Sequence, residues 1–357
     1  MATLRLPGLV DIHTHMREPG QTQKEDWSTG TAAALAGGFT TVLAMPNTRP
    51  PVFDQPSLDS ALDAARSGAR CDYGQYVGAG EGNADEAVSL APRVAGLKMY
   101  LDSTFGELRL PDPDSWWRHL EAWPAGRPIA LHAEGSTLSA VLLMATMLER
   151  PVHVCHVATE EELTSVLRAR DRGAAVTCEV TPHHLFLDRS DATRLRGLGE
   201  VRPRLADPSD RKALWHHLDD IDCFATDHAP HTLEEKRSDT PPPGFPGLET
   251  AVPLLIGAVH EGLLTIDDMV ARLHDNPRRI FDLPDQDAAV DIDPDAEWTL
   301  DGAAQQTRAG WSPFEGHVMR GRVTRVEIRG REAFAEGEVL GAPGSGRNVR
   351  EESAEQA

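Results

Sequence analysis

The chain of 357 residues is 25% charged and 40% hydrophobic, which supplies one large core or two ordinary ones and excludes disordered, collagenous and coiled-coil readings. Its 56 acidic residues outnumber 35 basic ones for a formal net charge of -21, so the surface repels phosphate backbones and anionic lipid, and neither nucleic acid nor a membrane is an expected partner. The four cysteines (Cys71, Cys155, Cys178, Cys223) have no short metal or redox spacing, no charged-then-apolar leader opens the sequence, and the longest apolar stretches (140–148 and 251–259) fall well short of the roughly 20 residues that span a bilayer; a soluble, cytoplasmic protein is expected.

In chain order, short apolar runs rich in β-formers recur at Gly8 to His15, Phe39 to Pro46, Cys71 to Ala79, Ala95 to Leu101, Pro128 to Glu134, Pro151 to Val157, Ala174 to Thr181 and Asp222 to Pro230. Segments of helical periodicity lie between them, at Glu25 to Leu35, Ser57 to Ser67, Leu138 to Arg150 and Glu160 to Arg170. This alternation marks βα units around a parallel sheet, and eight of them close a (β/α)8 TIM barrel. An open doubly wound sheet competes, but no Gly-x-Gly-x-x-Gly follows the first run. After the eighth run the spacing predicts helices over Leu248 to Glu261, Thr265 to His274 and Pro277 to Phe281, then a Pro- and Asp-rich stretch from Leu283 to Asp295. Gly321 to Arg329 alternates with period two, Gly330-Arg331 can turn, and Glu332 to Leu340 can return as one strand. The expected organisation is a barrel of residues 8–285, a small β subdomain of residues 1–7 plus 286–341, and a disordered tail of residues 342–357 rich in Gly, Ser, Arg and Glu.

Barrel chemistry gathers where strands run into their following loops. There the sequence places His13 and His15, Asn47, Lys98, His132, Cys155 and His156, Glu179, and Asp227 with His228. His13 and His15 are two apart on a strand, so both imidazoles face one way. Alone the pair is a weak signal. With His132, His156 and Asp227 it becomes a set of imidazoles and a carboxylate such as zinc prefers. Only four lysines occur; Lys24, Lys212 and Lys236 have charged neighbours in sequence, whereas Lys98 lies within Val94-Ala-Gly-Leu-Lys-Met-Tyr-Leu101. Burying an ammonium ion is costly and favours the neutral amine. Such an amine can take up carbon dioxide, and the carbamate formed is an anionic ligand with two oxygens, able to bridge two metals; a Schiff-base lysine and a snorkelling strand-end lysine are the alternatives.

The segments Asp11-Ile-His-Thr-His-Met-Arg-Glu-Pro-Gly20, Ala44-Met-Pro-Asn-Thr48, Gly96-Leu-Lys-Met-Tyr100, Leu131-His-Ala-Glu134, Cys155-His-Val-Ala158, Glu179-Val-Thr-Pro-His-His184 and Thr226-Asp-His-Ala-Pro-His231 together resemble dihydroorotase of the amidohydrolase superfamily. The resemblance runs from about Leu6 to Leu340 and is strongest with the dihydroorotase domain of the multifunctional animal pyrimidine-synthesis protein, notably at Pro241 to Thr250 and His274 to Ile280. It implies one zinc on His13, His15, carboxylated Lys98 and Asp227, and a second on the same carbamate with His132 and His156. A third zinc would use Cys155 and Glu179 and share His132. Cys155 and His156 are adjacent, so on a regular strand their side chains point to opposite faces unless a bulge intervenes.

Two divalent ions about 3.5–4 Å apart hold a bridging hydroxide and polarise a carbonyl. The resemblance therefore implies reversible cyclisation of N-carbamoyl-L-aspartate to L-dihydroorotate, with Asp227 as general acid and base. Arg17 follows His15 by two and can bind a carboxylate in bidentate fashion; with Asn47 and His231 it reads as the substrate's carboxylate clamp, and Arg202, Pro243 and Gly244 carry over as further contacts. Thr104 and Phe105 fall in a segment resembling a mobile active-site loop. Hydantoinases and allantoinases lack the arginine in the family pattern. The other rival is a metal-free homologue that keeps the barrel for assembly. A homodimer is implied by the resemblance alone, as is a covalent or functional link to carbamoyl phosphate synthetase and aspartate transcarbamoylase.

Overall fold

A strand covered by helices on one face and by the barrel interior on the other is buried along its whole length, so it is largely apolar and each polar side chain in it needs a partner. In the computed structural model, which describes residues 3–351, β1 (Leu4–Pro7) leads into β2 (Leu9–Thr14) and β3 (Phe39–Ala44), and every residue of β2 and β3 is buried. β4 (Asp72–Gln75) and β5 (Val77–Gly78) are one run interrupted at Tyr76, whose N–H donates to the Ala44 carbonyl at 2.9 Å. β6 (Leu97–Tyr100), β7 (Ile129–His132), β8 (Val152–Val154), β9 (Val176–Val180) and β10 (Cys223–Phe224) follow. β2 to β4 pair in parallel in chain order, as do β5 to β10.

The last strand meets the first. Thr14 and His228 form a parallel bridge, the His15 N–H donates to the His228 carbonyl at 2.7 Å, and the Asp11 carboxylate accepts from both the N–H and the hydroxyl of Thr226. With β4 and β5 taken together, eight parallel strands make the TIM barrel, each inside the apolar run that marks it in the sequence. Helix Glu160–Arg170 has the expected bounds. Trp27–Ala36 and Gln55–Gly68 start where the Asp26 and Asp54 side chains accept the first free N–H groups. The two helices expected near residues 265–281 are joined by a π turn over Ala271–Asp275.

β11 (Ala288–Thr299), β12 (Val318–Ile328), β13 (Arg331–Ala335) and β14 (Glu338–Val339) form with β1 a five-stranded antiparallel sheet in the order β1-β11-β12-β13-β14. Two expectations change here. Much of the Pro- and Asp-rich stretch is strand, because the register slips between Asp293 and Glu297 and Pro294 falls in that irregularity. The single strand expected over Glu332 to Leu340 is a hairpin, folded at Glu336 and Gly337 with φ of 47° and 89°. Between β11 and β12, residues 300–317 reach back over the barrel: Glu249 accepts the N–H groups of Gln306 and Thr307, and the Trp311 indole donates to the His231 carbonyl at 2.8 Å.

The tail expected to be disordered is ordered through residue 351; residues 352–357 lie outside the described residues. Val349 and Arg350 are buried, and the Arg350 guanidinium donates to the carbonyls of Val94, Phe281 and Asp282. Composition suggested a solvated segment, but one arginine satisfying several backbone acceptors outweighs its polar neighbours. Arg350→Ala leaves those acceptors unpaired and is expected to cost about 1.5–3 kcal/mol, read as a lower urea midpoint with an unchanged slope.

Candidate active site

The strand ends deliver their side chains to one buried space. His13, from β2, has Nδ1 2.5 Å from Glu179 Oε1 and Nε2 3.2 Å from Asp227 Oδ1. The same Asp227 oxygen lies 3.0 Å from His15 Nε2, and His15 Nδ1 is 2.6 Å from Asn47 Oδ1. Lys98, fully buried in β6, places Nζ 2.8 Å from Cys155 Sγ. His132, at the end of β7, has Nδ1 2.9 Å from His156 Nε2. Donor atoms of His13, Cys155 and Glu179 lie within 4.8 Å of one another, as do those of His13, His156 and Asp227. Beside Cys155 and Glu179 the structure thus brings His13, where the resemblance implied His132; the His132 ring contacts His156 and, at 3.6 Å, Glu134.

Three residues here have left-handed backbone: Arg17 (φ 58°), His156 (35°) and Asp227 (46°). Each costs about 1–3 kcal/mol, a strain typical of functional sites. At His156 it answers the alternation problem. β8 ends at Val154, the backbone turns, and both Cys155 and His156 face the barrel interior.

The donor set fits a borderline divalent ion such as zinc. Buried His132 Nε2 and His156 Nδ1 have no hydrogen-bond partner. Burial holds His15 down to about 4 and pushes His132 and His156 below the usual imidazole range, so their lone pairs are available as ligands. Burial opposes ionisation of Asp227, but His13 and His15 beside it hold its carboxyl well below the usual carboxylate range. Burial and Lys98 push His13 down, yet Asp227, Glu179 and Cys155 outweigh them and raise it to about 10. The two carboxylates that favour a proton on His13 would equally favour a metal ion in its place.

Next to these donors is a cavity lined by Arg17, Asn47, Tyr100, Thr104, Phe105, Arg202, Ala229, Pro243 and Gly244 together with His13, His15, His132, His156 and Asp227. His231, expected in the carboxylate clamp, does not line this cavity but lies behind its wall, with Nε2 3.2 Å from Arg17 Nη2 and 3.0 Å from the Pro243 carbonyl. Arg17 is 1% exposed, and its Nη1 has no partner. Gly244 has φ of 141°, and a Cβ there would lie 2.4 Å from the Ala229 carbonyl oxygen, so only glycine brings this backbone to the cavity. The loop after β6 lies over the mouth: the Asn47 amide donates to the Phe105 carbonyl at 2.9 Å, and the Phe105 ring covers the Arg17 guanidinium at 5.0 Å.

Tyr100 was not singled out from the sequence, although it follows Lys98 by two and must share its face; its hydroxyl is buried without a partner. Charged neighbours in sequence also misled. Lys24 and Lys236 are buried like Lys98, Lys236 by donating to the carbonyls of Glu200, Pro242 and Gly244. His228 and His184 support the site from behind: His228 Nδ1 accepts the Gly247 N–H, and His184 Nε2 is 3.1 Å from the Pro203 carbonyl.

A family model described as dihydro-orotase-like matches residues 2–105. The multifunctional protein CAD of Squalus acanthias is 52% identical over 97% of this chain, which spans only 16% of that protein. A dihydroorotase of Pyrococcus abyssi is 38% identical over 97% of this chain and 87% of its own length. Among solved structures, the L-hydantoinase of Arthrobacter aurescens superposes with a TM-score of 0.93 at 22% identity, over 97% of this chain and 89% of its own, and shares the fold. A domain described as an inactive dihydroorotase-like domain, from a Chaetomium thermophilum CAD-like multifunctional protein, has a TM-score of 0.84 at 30% identity, over 98% of this chain and all of its own. Strand order and superposition define the class of the fold, the (β/α)8 barrel that the L-hydantoinase shares. Within that class, the chain belongs to the dihydroorotase family.

Proposed function

We propose that the chain is a zinc-dependent dihydroorotase that interconverts N-carbamoyl-L-aspartate and L-dihydroorotate in pyrimidine biosynthesis. The observation that carries this reading is the placement of a buried guanidinium with a free donor, Arg17, across one cavity from Asp227 and the imidazole cluster. His13, His15, Asp227 and a carboxylated Lys98 would hold one zinc, and the same carbamate with His132 and His156 a second; when bound, the ions would supply a Lewis acid and an acidified water. The pairing of His13 with Cys155 and Glu179 supports a third ion there.

The chain's residues do the rest. Arg17 and Asn47 bind the substrate carboxylate and orient the ring so that its amide faces Asp227. Asp227 takes the proton of the attacking water and hands it to the departing ring nitrogen; in the biosynthetic direction the transfer reverses. Thr104 and Phe105 close the mouth and exclude water, and Arg202 with the backbone of Pro243 and Gly244 completes the pocket. Arg17→Ala is expected to raise KM for dihydroorotate by about 30-fold or more, since a charge-assisted pair is lost, with zinc content unchanged. Loss of zinc with KM intact would remove the clamp.

The likeness to a domain described as inactive favours a second reading, a non-catalytic assembly module. Turnover of dihydroorotate beside hydantoin and allantoin, with zinc analysis, decides: no turnover and less than about one zinc per protomer supports the module, and preference for hydantoin supports a hydantoinase. The resemblance further implies a homodimer, checked by light scattering, and substrate supply through carbamoyl phosphate synthetase and aspartate transcarbamoylase. Four buried free cysteines support a reducing, cytoplasmic setting.

A further inference from the structure

Lys24 is 3% exposed, a lysine buried beside the clamp with no role in the chemistry described above. Its Nζ lies 3.1 Å from His231 Nδ1, 3.1 Å from Glu235 Oε1 and 4.3 Å from the Phe105 ring centroid. An ammonium has donors only, so His231 Nδ1 must accept from it. In a neutral imidazole the proton then belongs to Nε2, which donates to the Pro243 carbonyl at 3.0 Å. With Nε2 a donor, its 3.2 Å approach to Arg17 Nη2 is no hydrogen bond. Arg17 Nη2 therefore stays free, like the unpartnered Nη1 beside it, and the arginine keeps both ends of its fork for a ligand. Burial and Arg17 hold His231 neutral, at about 3.

We propose that Lys24 is a positioning residue that locks His231 in its Nε2–H tautomer and so keeps the Arg17 fork free for the substrate carboxylate. The proposal rests on the reading of Arg17 as the clamp. Its physical content is a competition for His231 Nδ1. Glu235 Oε2 is 3.7 Å away from that atom. Without the lysine, this carboxylate can accept a proton held on Nδ1, and the tautomer reverses. Nε2 then carries a lone pair, which accepts from Arg17 Nη2 and repels the Pro243 carbonyl. One substitution thereby spends a clamp donor and loosens the backbone that lines the cavity.

Lys24→Met in the zinc-loaded protein is expected to raise KM for dihydroorotate by about 10- to 100-fold, the value of one hydrogen bond to a charged group. Because carboxylate binding is equal in ground and transition states, kcat should stay within about threefold, and zinc content should not change. Adding Glu235→Gln is the sharper test, because its amide can donate to Nδ1 and restore the Nε2–H tautomer. The double variant should recover most of the KM, a rescue that neither a packing role for Lys24 nor its contact with Phe105 produces. In the unsubstituted protein, the 15N shifts of the His231 ring, assigned by their absence in His231→Asn, should report protonated Nε2 and bare Nδ1, a readout that needs no folded variant of Lys24. An unchanged KM in Lys24→Met, an equal defect in the double variant, or protonated Nδ1 in the native protein would overturn the proposal. If Arg17→Ala leaves KM unaltered, the clamp itself fails; if Arg17→Ala weakens binding while the Lys24 tests fail, only the tautomer lock does.

Discussion

Asp227→Asn is expected to lower interconversion of carbamoyl aspartate and dihydroorotate by at least about 10³-fold in both directions while the protein stays folded. Asparagine is nearly isosteric, so contacts with His13 and His15, at 3.2 and 3.0 Å, can persist through its amide. What disappears is the ability to hold a proton and pass it on. General acid–base catalysis is worth roughly 10²–10⁴-fold, and a neutral side chain also weakens the affinity of the cluster for a cation. The two effects separate in one set of measurements. Far-UV circular dichroism tests the fold, metal analysis tests occupancy, and the rate at saturating zinc isolates the proton transfer. Activity retained at saturating zinc would remove Asp227 from the proton path.

The parts of the barrel that were legible are those where local pattern and tertiary position agree. Buried strands read as short apolar runs because both faces are covered, and β2 and β3 are buried at every residue. His13 and His15 were legible because period two on a strand is rigid, and Lys98 because an apolar strand makes a lysine conspicuous. Tyr100 obeys the same rule and could have been named. Other features were hidden because their partners are distant backbone groups. Nothing local distinguishes Arg350 from a solvated arginine; the carbonyls that hold it belong to residues 94, 281 and 282. Lys24 and Lys236 look solvated in sequence and are buried: carbonyls of Glu200, Pro242 and Gly244 hold Lys236, and the side chains of His231 and Glu235, far along the chain, hold Lys24. Residues 300–317 cross to the barrel mouth because Glu249 offers a carboxylate to two of their N–H groups, a match that no periodicity encodes. The His156 turn was anticipated only as a problem, since a left-handed residue leaves no compositional mark.

Lys98→Met carries the second large expected effect, and its two halves have opposite signs. Methionine matches the length of the lysine stem and has no polar end to desolvate, so the fold should be unharmed or more stable; removing a buried amine whose polar partner here is a thiol relieves a desolvation cost. Function should collapse. Without the amine no carbamate forms, the cluster loses its bridging anion, and zinc is expected to fall below about one per protomer, with activity lost by more than about 10³-fold. The carbamate makes a further demand that a simple amine ligand does not. Its formation consumes carbon dioxide and releases a proton, so metal-free protein given zinc in carbon dioxide-free buffer should regain activity slowly, and added bicarbonate should accelerate recovery in proportion to its concentration. Labelling with 13C-bicarbonate should place one carbamate resonance in the unsubstituted protein and none in Lys98→Met. Full zinc content in Lys98→Met would show that the imidazoles, Asp227, Cys155 and Glu179 hold the ions without a bridge. Recovery independent of bicarbonate would leave Lys98 a buried amine beside Cys155, and the anionic bridge would have to come from the other buried carboxylate of the cluster, Glu179, which His13 and His153 hold ionised against the pull of burial.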